Sequence, residues 1–209
     1  MLIESCVFSG CKAEKRGGGM FFLDGTEFRD EEKIIRNCTF TNCAVTRSSD
    51  PYGFAIYTRS YKASITNCTF TKHEATSPSS SIVYINMDEL SPTIENCIFY
   101  DNTQISSFLF KVLSPVTIKH TKFDTFSGIP CIELVEWEVK SINIENCIFS
   151  NIQSRCISML DEKSSFPTNI LSCEFRDNIF TKNRLDTTFQ GGASICTAEG
   201  GDFKIENCT

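Results

Sequence analysis

The sequence predicts an all-β chain, a right-handed single-stranded parallel β-helix of about seven to eight coils with three short strands in each coil. Two observations predict it: a six-residue string, Ile-x-Asn-Cys-x-Phe, recurs from one end to the other, and a second apolar segment follows each copy. A third is negative, since no stretch has the length and period of an amphipathic helix. Self-similarity of this kind marks a repeat architecture, with a single segment over residues 1–209.

The string opens as Ile3-Glu-Ser-Cys-Val-Phe8 and returns as Ile35-Arg-Asn-Cys-Thr-Phe40, Ile65-Thr-Asn-Cys-Thr-Phe70 and Ile94-Glu-Asn-Cys-Ile-Phe99. A divergent copy, Ile118-Lys-His-Thr-Lys-Phe123, precedes Ile144-Glu-Asn-Cys-Ile-Phe149, Ile170-Leu-Ser-Cys-Glu-Phe175 and Ile205-Glu-Asn-Cys-Thr209. Successive isoleucines are 32, 30, 29, 24, 26, 26 and 35 residues apart. A drifting period around a fixed core describes rungs whose strands are constant and whose loops vary.

Side chains alternate faces along a strand. Ile stands three residues before Cys, and Cys two before Phe, so one unbroken strand cannot turn all three inward. A corner at Asn can, and Asn tolerates the left-handed backbone a corner needs, its amide bonding to its own backbone or to the Asn of the next coil. The second segments, such as Gly53-Phe-Ala-Ile-Tyr57, Ser81-Ile-Val-Tyr-Ile85 and Arg155-Cys-Ile-Ser-Met159, are short β-formers bounded by Gly, Ser and Pro, and supply the third face. Stacking coils at about 4.8 Å gives parallel pairing and ladders of like residues.

Gly191-Gly192-Ala193-Ser194-Ile195, with Phe99-Tyr-Asp-Asn102 and Phe175-Arg-Asp-Asn178, resembles the paired Gly-Gly-Ala-Ile and Phe-x-x-Asn motifs of chlamydial polymorphic outer membrane proteins. Cys38-Thr-Phe-Thr-Asn-Cys43 before Gly53-Phe-Ala-Ile56 is similar to repeat proteins of trichomonad-type protists. The resemblance spans nearly the whole chain and implies a surface-exposed β-helical region acting in adhesion or host contact. Gly-Gly-Ala is intact only near the C-terminus, with echoes at Gly18-Gly19 and Gly53. The repeat runs to both ends without polar capping coils, which solenoids need, so truncation at both ends is expected.

A formal charge of −6 and a pI near 5.0 argue against a nucleic-acid partner. No apolar run approaches the roughly 20 residues that span a bilayer, and the N-terminus has no secretory-signal pattern. No cofactor is implied. Cys6, Cys38, Cys68, Cys97, Cys147, Cys173 and Cys208 share one inward position and read as a ladder of buried thiols. Disulfides between rungs are the other reading, opposed by parallel Cβ vectors about 4.8 Å apart where a bridge needs about 3.8 Å. Cys11 and Cys43, five residues further on, are better placed for a disulfide if the compartment is oxidising. Metal binding is disfavoured, since there is no Cys-x-x-Cys pair and His73 and His120 lie in different repeats.

Asn37, Asn67 and Asn207 each head an Asn-Cys-Thr glycosylation sequon, yet together with Asn96 and Asn146 they read first as the structural corner. A stacked corner Asn is expected to be a poor acceptor. No catalytic constellation is visible. Asp101, Asp177 and Asp124 are read as equivalent, a conceivable carboxylate row but more simply a solvated face. Trp137, Tyr57, Tyr61, Tyr84 and Tyr100 are candidates for a solvent-facing sugar- or protein-binding strip. The expected function is a non-enzymatic cell-surface or secreted repeat protein meeting a protein or glycan partner. The alternatives are a carbohydrate-active β-helix enzyme or a structural spacer.

Overall fold

The computed structural model describes residues 1–23, 32–46, 52–59, 63–73, 81–85, 92–105, 110–112, 116–128, 131–134, 141–153, 155–159, 167–179, 194–197 and 203–209. Among the described residues every regular element is a strand. The strands form three long sheets of eight, seven and seven members, and one two-stranded sheet. Each strand pairs in parallel with its counterpart from the next repeat, which makes the chain a parallel β-solenoid as the repeat predicted.

The first sheet holds the Ile strands, from Leu2–Glu4 through Lys33–Arg36 and Ala63–Thr66 to Phe203–Glu206. The second holds the Phe strands, from Val7–Ser9 to Glu174–Arg176. The third holds the second apolar segments, from Met20–Leu23 to Ile195–Thr197. The two-stranded sheet pairs Lys12–Ala13 with Ala44–Val45.

Register follows the repeat residue by residue. Ile35 pairs with Ile65, Ile65 with Ile94 and Ile94 with Ile118, all buried. Phe8, Phe40, Phe70, Phe99, Phe123, Phe149 and Phe175 stack with ring centroids 4.4 to 5.3 Å apart and nearly parallel planes. Each such pair is worth about 0.5–1.5 kcal/mol beyond the area it buries.

The corner between the first two sheets lies where Asn was expected. Ser5, Asn37, Asn67, Asn96, His120, Asn146, Ser172 and Asn207 all adopt positive φ, between 49° and 55°. Successive corners are tied by backbone: Asn37 N–H donates to the Thr66 carbonyl at 3.1 Å, and Asn67 N–H to that of Glu95 at 3.0 Å. The corner side chains point outward and are exposed.

A second corner follows five residues later and was not foreseen. Gly10, Asn42, Lys72, Asp101, Thr125, Asn151 and Asp177 again have positive φ, 51° to 62°. Its signal in the sequence was the constant five-residue step from the first corner, blurred because seven positions carry five residue types. The residue after this corner turns inward, giving a further ladder of Cys11, Cys43, His73, Asn102, Phe126, Ile152 and Asn178.

Asn102 and Asn178 show why Phe-x-x-Asn recurs. Asn102 Nδ2 donates to the Phe70 carbonyl at 3.1 Å, and its Oδ1 accepts the His73 backbone N–H at 3.1 Å. Asn178 does the same one coil above Phe149 and Ile152, at 3.0 Å for both bonds. Each amide thereby satisfies a donor and an acceptor that the turning backbone leaves unpaired.

Glycine is required where the chain enters the third sheet. A Cβ on Gly18 would lie 2.4 Å from the Phe54 carbonyl oxygen and 2.5 Å from that of Ala44, and Gly53 has φ +67°. The Gly191-Gly192-Ala193 motif itself lies outside the described residues.

Candidate contact face

The cysteines predicted inward are inward. Cys38, Cys68, Cys97, Cys147 and Cys173 are buried free thiols, and Cys6 and Cys208 are partly buried at the two ends of the stack. Each thiol donates to the carbonyl two residues before it, as Cys68 does to Thr66 at 3.2 Å and Cys147 to Glu145 at 3.4 Å. Thr121 takes the vacant Cys position because its hydroxyl makes the same bond, to Lys119 at 2.9 Å. Burial pushes the Cys131 and Cys156 thiols well above the ordinary range, and the hydrogen bond with Cys173, followed by burial, does the same for Cys147.

Asn37, Asn67 and Asn207 are exposed, which corrects the expectation that stacking would close them to a glycan. The left-handed corner turns their side chains away from the column. Of the two histidines, His120 sits at an exposed first corner. His73 is fully buried, and its Nδ1 lies 3.1 Å from Asn102 Oδ1. Because that oxygen only accepts, Nδ1 carries the proton, and Nε2 has no hydrogen-bond partner among the described residues. Burial lowers the His73 pKa to about 4 against the smaller opposing effect of Asn102.

The three aspartates are not equivalent. Asp101 and Asp177 stand at the second corner, with Thr125 and Asn151 between them. Three coil steps separate them, roughly 14 Å on the usual strand spacing, beyond the ~10 Å within which paired carboxylates cleave a glycoside. Asp124 is one residue out of phase, paired with Tyr100 and Ser150 on the outer side of the second sheet.

The outer side of the first sheet largely neutralises itself. Glu4 pairs with Arg36 at 2.9 Å, Lys119 with Glu145 at 3.0 Å, and Asn169 donates to Asn143 at 2.7 Å. On the third sheet, Phe21, Tyr57 and Tyr84 form an outward ring stack at 5.1 and 4.9 Å. Tyr57 and Tyr84 are nevertheless buried, correcting their assignment to solvent, because Tyr52 stacks on Tyr84 at 4.6 Å and Arg16 lies over Tyr57. Trp137 and Tyr61 lie outside the described residues.

The second sheet differs. Ile98 and Tyr100, alternate residues of strand Ile98–Ile105, are 43% and 41% exposed. The remaining exposed large apolar residues among those described, such as Val7, Phe21 and Ile205, all lie near the ends of the stack. One coil beyond Tyr100, Asp124 accepts hydrogen bonds from Lys122 Nζ at 2.8 Å, Ser150 Oγ at 2.9 Å and Asn151 Nδ2 at 2.9 Å. Partial burial opposes its charge, but these donors together outweigh burial and bring the carboxyl down to about 2. Glu174 and Arg176 pair further along the same face. An apolar and aromatic patch therefore abuts a fixed carboxylate, amide and hydroxyl cluster.

A family model for the right-handed beta helix region matches residues 1–209. The chain belongs to that family. Searches of curated proteins and of solved structures returned no match. In this right-handed β-helix, no group of three or more His, Cys, Asp or Glu side chains among the described residues lies together as a metal site. No helix among the described residues is long and apolar enough to cross a membrane. The right-handed β-helix commits its inward ladders to stacking.

Proposed function

We propose that this right-handed β-helix is a non-enzymatic cell-surface or secreted repeat protein that meets a protein or glycan partner through the outer side of its second sheet. The observation that carries the reading is the exposed Ile98–Tyr100 pair in the middle of the stack, beside the Asp124 cluster. Apolar surface away from the ends has no packing role, and an aromatic ring with one wet edge beside fixed polar groups suits both sugar rings and protein side chains. The resemblance to polymorphic outer membrane proteins and trichomonad-type repeats supports the same assignment. The spacing of Asp101 and Asp177, and an Asp124 too acidic to hold a proton near neutral pH, give the carbohydrate-active alternative no support.

The purified chain should be scored against an immobilised glycan panel and intact eukaryotic cells. Ile98→Ser combined with Tyr100→Ala is expected to weaken binding roughly tenfold or more, as for a central aromatic anchor, with the circular dichroism spectrum unchanged. Undiminished binding by the double variant would place the contact elsewhere. Breakdown of an acidic polysaccharide, lost on Asp124→Asn, would replace the reading with an enzymatic one.

A further inference from the structure

Two pairs of stacked thiols lie outside the long Cys ladder: Cys131 and Cys156, both fully buried beside strands of the seven-stranded third sheet, and a more accessible pair near the start of the stack. Cys11 and Cys43 follow the second corner in neighbouring coils, one residue before the paired Lys12 and Ala44. Ala44 N–H donates to the Cys11 carbonyl at 2.9 Å, which sets the two cysteines side by side in adjacent coils, and Cys43 Sγ also reaches back into the first coil, to the Phe8 carbonyl at 3.5 Å. Both are free, Cys43 buried and Cys11 partly exposed. From this geometry we infer that Cys11 and Cys43 form a redox-controlled disulfide that clips the first coil onto the second.

Two features select this pair over the long Cys ladder. A bridge must draw parallel Cβ atoms from about 4.8 Å to about 3.8 Å. Cys38, Cys68, Cys97, Cys147 and Cys173 lie between sheets of eight and seven strands, where closing one gap strains every neighbouring coil. Cys11 and Cys43 lie beside a sheet of only two strands, which can tilt locally. Moreover, Cys38 has thiol neighbours in both adjacent coils, Cys6 and Cys68, so a bridge there faces exchange. The position above Cys43 is His73, so Cys11 is its only thiol neighbour in the ladder.

The chemistry balances with a small-molecule disulfide such as oxidised glutathione. The Cys11 thiolate attacks one glutathione sulfur, forming a mixed disulfide and releasing one glutathione thiol. Cys43, losing its proton, then attacks Cys11 Sγ and releases the second. The protein loses two protons and two electrons, and the oxidant is reduced to two thiols. The second step is the slower, because burial holds the Cys43 thiol up at about 11.

The test does not depend on the surface reading, since it uses the folded chain in vitro. The full chain is treated with oxidised glutathione, quenched with an alkylating agent and digested without reductant. Peptides bearing Cys11 and Cys43 should be linked, two hydrogens lighter than their sum, in the wild type and in Cys6→Ser, and unlinked in Cys11→Ser. Cys43→Ser should instead accumulate glutathione on Cys11. Circular dichroism identifies any variant that fails to fold. A link that survives Cys11→Ser, or a folded wild type that alkylates fully or stops at the mixed disulfide, overturns the proposal.

Discussion

His73 should make the fold acid-sensitive in a window of its own. Its ring is fully buried and its pKa is held at about 4, against 6.5 for the free side chain. The folded state therefore needs the neutral ring, while the unfolded chain takes up a proton from about pH 6.5 downward. The sign follows: the contribution is intact above pH 6.5, erodes as pH falls and is exhausted near pH 4. A shift of this size is worth about 3 kcal/mol in full and roughly 2.5 kcal/mol at pH 4.5. Asp124, already near 2, acts only below the ordinary carboxylate range and stays out of this window. The assay is urea unfolding at pH 7.0 and 4.5 for wild type and His73→Asn, a variant that retains a donor for Asn102 Oδ1. Surface carboxylates titrate alike in both proteins, so the difference between their pH dependences isolates His73. Wild type should lose roughly 2–3 kcal/mol more than the variant. Equal losses would refute a buried neutral imidazole.

Asn102→Ala leaves the His73 N–H and the Phe70 carbonyl without their partner, and chemical unfolding should show a loss of about 2–6 kcal/mol at about 1–3 kcal/mol per orphaned buried group. Gly18→Ala forces a Cβ against two backbone carbonyls and should lower stability by about 1–3 kcal/mol, whereas Gly10→Asn, at φ +62° with open space around it, should be nearly neutral in thermal unfolding. Phe99→Ala should cost about 3–5 kcal/mol, while Tyr100→Ala beside it costs under about 1 kcal/mol. Comparable losses at the two positions would mean that the inward and outward faces have been exchanged.

The inward architecture was legible because stacking multiplies one local rule by the number of coils. Ile35, Cys38 and Phe40 could be turned inward from spacing alone, since only a corner at Asn37 reconciles three apolar residues with a two-residue period. The second corner was hidden because Lys72, Thr125 and Gly10 share a conformation but no chemistry. Asp124 was misaligned with Asp101 for the same reason: without the corner as a reference, a one-residue offset is invisible, yet it moves a side chain from corner to strand. Tyr57 and Tyr84 were expected to face solvent, but they are buried. Their burial depends on Tyr52 and Arg16, which no pattern within the repeat positions.

Stacking also limits the outer faces. Unit charges of like sign about 4.8 Å apart repel by about 1 kcal/mol even in water, repeated at each coil. The first sheet avoids this with opposite charges in adjacent coils, Glu4 over Arg36 and Lys119 over Glu145. The second sheet pairs its charges within a strand, Lys122 with Asp124 and Glu174 with Arg176, as the first sheet also does in its last strand, Lys204 with Glu206. That choice leaves each coil electrostatically closed and removes the need for a charge above or below it. Ile98 and Tyr100 can then stand beside the Lys122–Asp124 pair without facing an unpaired ion. On the proposed reading, binding by an apolar patch bordered by self-neutralised pairs should change little between low and high salt, whereas a contact built on the first sheet should weaken or strengthen with salt as its ion pairs are broken.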